Sequence, residues 1–97
     1  MSSLSLSRQN DSQFSLEGEL TRFSVADRTL VQQLLTANED TVSLDLKNVV
    51  HVDTAGLAWL IDTLSQLRKQ GKQLQLEHIP DQLHKLMLLG QVDNIFE

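Results

Sequence analysis

Four short stretches of this chain alternate apolar and polar residues, and the segments between them repeat with the period of a helix. Leu4 and Leu6 alternate with Ser5 and Ser7, and Phe14, Leu16 and Leu20 with Ser15, Glu17 and Glu19. Val42, Leu44 and Leu46 then alternate with Ser43 and Asp45, and Leu74 and Leu76 with Gln73, Gln75 and Glu77. Period-two alternation marks strands with one buried face. Four such strands form a stable sheet only if helices cover the apolar side, leaving the polar side in water. Gln9-Asn10-Asp11-Ser12 has the composition of a tight turn and predicts a hairpin between the first two strands.

The intervening segments supply the helices. Ser24, with Asp27 three residues on, has capping-box spacing and opens a helix whose inner face would be Phe23, Ala26, Leu30, Val31 and Leu34. A longer helix runs from about Thr54 to Gln70, with Leu57, Leu60, Ile61, Leu64 and Leu67 on one stripe. It stops at Gly71, and Arg68 and Lys69 sit where the helix dipole favours cations. A third helix begins at Pro80, presents Leu83, Leu86 and Met87 and ends at Gly90. Leu86-Met87-Leu88-Leu89 reads as core, and Val92 to Phe96 fits either a short strand or a docked turn. The order strand, strand, helix, strand, helix, strand, helix predicts an α/β fold, a mixed sheet with helices packed on one face. At 97 residues the chain fits one core, so residues 1–97 are expected to form a single domain.

Several function classes are disfavoured. The formal charge of −5 argues against binding nucleic acid or anionic lipid, which depends on basic side chains displacing counterions from phosphates. There is no cysteine, hence no thiolate nucleophile, thiolate metal site or disulfide. The first residues lack a signal-peptide pattern and no run approaches the ~18 apolar residues of a membrane span, so a cytoplasmic chain without direct membrane insertion is expected. None of the four glycines, Gly18, Gly56, Gly71 and Gly90, belongs to a phosphate-binding loop. His51, His78 and His84 lack metal-ligand spacing, and His78 reads as a hydrogen-bonded core or edge residue. No nucleophile elbow occurs. The sequence therefore predicts no catalytic residue, no metal, no cofactor and no enzyme. Arg68, Lys69 and Lys72 form the one local basic cluster and read as a solvated helix end.

The informative segment is Val52-Asp53-Thr54-Ala55-Gly56-Leu57, which joins a strand region to the longest helix. Asp53 or Thr54 can cap that helix by accepting from free amides two or three residues on. Ala55 and Gly56 leave the first turn without bulk, so another backbone or side chain can approach closely. Projected at 100° per residue, Thr54, Ala55, Ala58, Trp59, Asp62 and Gln66 fall away from Leu57, Leu60, Ile61 and Leu64. That projection predicts an outward Trp59 among alanines, an interface anchor. The alternative is a Trp59 packed under the tail or a loop. The partner-binding residues are thus expected to be Asp53, Thr54, Ala55, Ala58, Trp59 and Asp62.

Val42-Ser43-Leu44-Asp45-Leu46-Lys47-Asn48-Val49, followed by Val52-Asp53-Thr54-Ala55-Gly56-Leu57 and a long amphipathic helix, resembles the STAS domain of anti-sigma-factor antagonists and sulfate transporters. Asp45 matches the family's acidic strand residue, Asp53 the acidic residue of its turn, and Thr54 the hydroxyl phosphorylated in the antagonists. Leu16-Glu17-Gly18-Glu19-Leu20 and Val52-Asp53-Thr54 with Gly56-Leu57-Ala58 are most similar to the small STAS subunits of Mla-type phospholipid-transport ABC complexes, although Ala55 stands where that subgroup often has a second glycine. The resemblance implies a partner that is an ABC ATPase subunit, a role in lipid asymmetry and a place at the inner membrane through that complex. The alternative it implies is an anti-sigma-factor antagonist that meets an anti-sigma factor or kinase and is switched by phosphorylation of Thr54.

Overall fold

A computed structural model describes residues 4–22, 29–37, 39–92 and 95. Its elements are β1 (Leu4–Arg8), β2 (Gln13–Leu20), α1 (Thr29–Leu35), β3 (Thr41–Val52), α2 (Thr54–Lys69), β4 (Gln73–Glu77) and α3 (Asp81–Leu89), in the order the alternation predicts. The four strands lie in sequence order across one sheet, β1 antiparallel to β2 and the rest parallel. The β1–β2 hairpin is closed by the Asn10 side chain, whose Oδ1 accepts the amides of Ser12 and Gln13 at 3.0 Å each.

Phe14, Leu16, Leu20, Val42, Leu44, Leu46 and Leu74 are buried on one side of the sheet together with Leu57, Leu60, Leu64 and Leu67 of α2. Leu83 and Met87 of α3 complete this layer. Val31 and Leu34 of α1 are buried as predicted, whereas the expected cap Ser24/Asp27, Phe23 and Ala26 lie outside the described residues, as does the side chain of Leu30. The C-terminal end of α2 behaves as its glycine dictates. Gly71 has φ 76°, its amide donates to the Arg68 carbonyl, and the Lys72 amide reaches back to Leu67 at 2.9 Å.

Two expectations need correction. The alternation marks a strand only over Val42 to Leu46, but β3 continues to Val52. Twice the β2–β3 register slips, so that Ser15 and Glu17 face Asp45 and Asn48, and Gly18 and Glu19 face Val49 and His51. Each slip inserts one extra β3 residue, and the buried positions change from every second residue to every third: Leu46, Val49, Val52. In α3, only Leu83 and Met87 are buried and Leu86 is partly so; Leu88 and Leu89 are exposed rather than core. Residue 95 sits in a turn, its amide donating to Val92 and its side chain packed against the core.

Candidate functional site

The long β3 delivers Asp53 to the end of the sheet, and α2 begins at the next residue. Asp53 is the cap. Its backbone is extended (φ −121°, ψ −175°), and its Oδ1 accepts the Gly56 amide at 3.0 Å. The other carboxylate oxygen, Oδ2, accepts the Arg22 amide at 3.1 Å, just past the end of β2. The Asp53 amide in turn donates to the Leu20 carbonyl at 3.3 Å. One side chain thus fastens the start of α2 to a strand more than thirty residues earlier. Burial of the carboxyl pushes its pKa up, but the amides of Gly56, Arg22 and Ala55 and the Arg22 charge outweigh this and hold it below the usual range.

This fastening requires a glycine. A Cβ at position 56 would stand 2.0 Å from the Leu20 carbonyl oxygen and 2.8 Å from its carbon. Gly56 is therefore a point of helix–strand contact and not an open surface for a partner.

The same contact rotates the helix. Gly56, Leu57, Trp59, Leu60, Thr63, Leu64 and Leu67 are its buried residues, an arc turned by about 50° from the leucine stripe. Trp59 consequently lies inside, 7% exposed, and the expectation of an outward tryptophan is wrong. The stripe of Leu57, Leu60, Ile61, Leu64 and Leu67 misplaced the centre of the face because a glycine and a threonine belong to the buried side. Thr63 is tolerated there because its hydroxyl donates to the Trp59 carbonyl at 2.8 Å. The Trp59 Nε1–H is buried and has no hydrogen-bond partner among the described residues.

What remains outward is a stripe of small or polar residues: Thr54, Ala58, Asp62 and Ser65, spaced by three or four and all exposed. Ala55 and Ile61 are half-buried on its flanks, and Gln66 Nε2 donates to Asp62 at 2.7 Å. The Thr54 hydroxyl makes no hydrogen bond among the described residues. Of the six expected contact residues, the structure places Thr54, Ala58 and Asp62 together on this surface, with Ala55 at its edge, Asp53 behind it as a clamp and Trp59 beneath it. Leu20 and Arg22, which complete the clamp, were invisible to spacing because they meet Asp53 only across the fold, Leu20 through its carbonyl and Arg22 through its amide on the carboxylate. Val50, 66% exposed, is the extra residue of the second bulge and adds an apolar side chain at this end of β3.

The other acidic position, Asp45, lies on β3 and takes part in a separate knot. Its Oδ1 accepts the Lys47 amide at 2.9 Å and lies 2.9 Å from Nδ1 of His78, which leaves β4 with φ 54°. Burial raises the Asp45 pKa, and the Lys47 amide and His78 more than compensate, so it too lies below the usual range. His78 is the hydrogen-bonded edge residue that the sequence suggested. Among the described residues no cluster of His, Asp and Glu converges on a metal position, and no helix is long and apolar enough to cross a membrane.

Comparison with known proteins agrees with this geometry. Residues 5–97 match the family model described as "Mlab, STAS domain". The anti-sigma-B factor antagonist of Bacillus subtilis (strain 168) is 29% identical over 91 residues, covering 92% of this chain and 82% of that protein. Solved structures share the fold, two of SpoIIAA among them. The Bacillus cell fate determinant SpoIIAA in its phosphorylated form has a TM-score of 0.69 at 13% identity, covering 94% of this chain and 86% of that one. The anti-sigma factor antagonist SpoIIAA in its unphosphorylated form has a TM-score of 0.66 at 14% identity, covering 90% and 83%.

Proposed function

We propose that this chain, which belongs to the STAS domain family, is a single non-catalytic docking domain that holds a partner protein against the outer stripe of α2 and releases it when Thr54 is phosphorylated. The observation that carries this reading is the Thr54 hydroxyl: exposed, unbonded among the described residues, and first in the helix, with Ala55 and Ala58 next along its outer side. The similarity to an anti-sigma-B factor antagonist supports a partner of the anti-sigma-factor class acting as kinase.

A phosphate ordinarily gains from a helix start because free amides and the positive end of the dipole face it. Here the Asp53 carboxylate already takes the Gly56 amide and the amide of Arg22. A phosphate on Thr54 would bring about −1.5 to −2 charges beside that carboxylate. It would compete with the cap and add bulk to a close contact, so modification favours separation. Incubation with a cognate kinase of the anti-sigma-factor class, followed by mass spectrometry, tests the switch. A phosphate on Thr54 supports it, and an unmodified Thr54 while a control substrate is modified refutes it.

The Mlab description of the matching family model favours a second reading on the same surface, a subunit bound to the ATPase of a phospholipid-transport ABC complex. In that reading the small stripe is a permanent contact and no kinase is needed. Co-purification with the ATPase, lost in Thr54→Glu, supports it; no co-purification of wild-type protein contradicts it.

A further inference from the structure

We propose that β4 pairs with β4 of a second copy, antiparallel about a two-fold axis at Gln75, joining two four-stranded sheets into one. This surface is separate from the α2 stripe, so its fate does not decide the proposed function.

The Gln73 amide donates to the Asp40 carbonyl at 2.7 Å, so the backbone groups of Gln73 face β3. Backbone groups alternate along a strand, so those of Gln75 and Glu77 face β3 too, and those of Leu74 and Leu76 face outward. The sheet order leaves that outer edge without a strand among the described residues. Under a two-fold axis at Gln75, Leu74 lies opposite Leu76 of the other copy. These are the residues that must exchange both backbone bonds in an antiparallel ladder, giving four bonds in all. Gln75 then meets its own copy in a non-bonded pair.

The side chains obey the same symmetry. Leu74 and Leu76 lie on the helix side, and a cavity of about 420 Å³ runs along this edge, lined by Leu64, Leu74, Leu76 and Ile95 with Arg68 among its walls. The groove is mixed, with Thr41, Gln73 and Gln75 also in its walls, and a second strand would set its own leucines against Leu64, Leu74, Leu76 and Ile95. On the opposite face Gln73 meets Glu77 of the other copy, an amide donor facing a carboxylate. The charge of −5 per chain opposes association in general. The edge Gln73-Leu74-Gln75-Leu76-Glu77 avoids that penalty, having one charged residue, at its end and opposite an amide. It also lacks the usual protections of an edge: no proline, no central charge, and a β3–β4 register without a bulge. Five residues a side form a small interface, which places the pair among weak, concentration-dependent dimers.

Sedimentation equilibrium from about 10 µM to 1 mM protein tests this, a span chosen for weak association. The wild-type mass should rise from that of one chain toward two. Gln75 is exposed, so Gln75→Glu and Gln75→Lys should keep the fold, checked by circular dichroism, while opposing like charges at the axis. Each variant alone should associate at least tenfold more weakly than wild type, and an equimolar mixture should recover dimer. A wild-type chain that stays monomeric throughout, as it would if another segment occupied the edge, overturns the proposal. So do variants that dimerise as wild type does, or a mixture that fails to recover.

Discussion

Replacing Gly56 with alanine tests the joint between α2 and β2, because two opposite effects of known size compete there. In an ordinary helix the change is favourable by about 1 kcal/mol, since glycine is the poorer helix former. At position 56 the new Cβ would lie 2.0 Å from a backbone oxygen, so strand or helix must move by about 1 Å to restore a normal contact. That movement pulls on the Asp53 amide bond to Leu20 and on the Arg22 amide bond to Asp53. Losing both costs about 2 kcal/mol, and overpacking adds about 1–3. After the helix gain is subtracted, the variant should be destabilised by about 2–4 kcal/mol, lowering Tm by roughly 10–25 °C for a chain of this size. Urea denaturation followed through the fluorescence of buried Trp59 measures it directly. A variant as stable as wild type, or more stable, would refute the close approach of α2 to Leu20.

Trp59→Ala should destabilise the isolated domain by about 3–5 kcal/mol, because the ring is core; denaturation of the free protein checks this. Ala58→Arg, on the exposed stripe, should change stability by less than about 0.5 kcal/mol while weakening partner binding, separating surface from core. The depressed Asp53 and Asp45 pKa values fix the sign of the acid response. Near and below about pH 4 the unfolded chain binds more protons than the folded one, so stability falls with pH as these carboxylates protonate. Urea midpoints between about pH 6 and 2.5 should decline more shallowly in Asp53→Asn than in wild type.

The strands and the two well-marked helices were legible because their signals are local. Alternation at Val42, Leu44 and Leu46 and the leucine spacing of α2 depend on near neighbours only. What escaped was set by pairing across the chain. The extension of β3 to Val52 requires two bulges against β2, and three-residue spacing of buried positions has no meaning until the partner strand is known. Trp59 was misplaced for a related reason: the inner face of α2 is centred by Gly56 against Leu20, and a glycine carries no weight in a hydrophobic projection. Asp53 was recognised as a possible cap from its position before the helix, but its second role, holding Arg22, rests on a residue 31 positions away. Thr54, Ala58 and Asp62 were placed correctly because they remain outward under either choice of helix face.

The exposed Thr54, Ala58 and Asp62 predict that a partner docks on the outer stripe of α2. Calorimetric titration of the wild-type chain, Thr54→Glu and Ala58→Arg into the purified partner, whether a kinase of the anti-sigma-factor class or an ABC ATPase, tests it most directly. Both substitutions should weaken binding at least tenfold, more than about 1.4 kcal/mol, while circular dichroism and Tm stay at wild-type values. Full affinity in both variants would rule out the stripe as the docking surface.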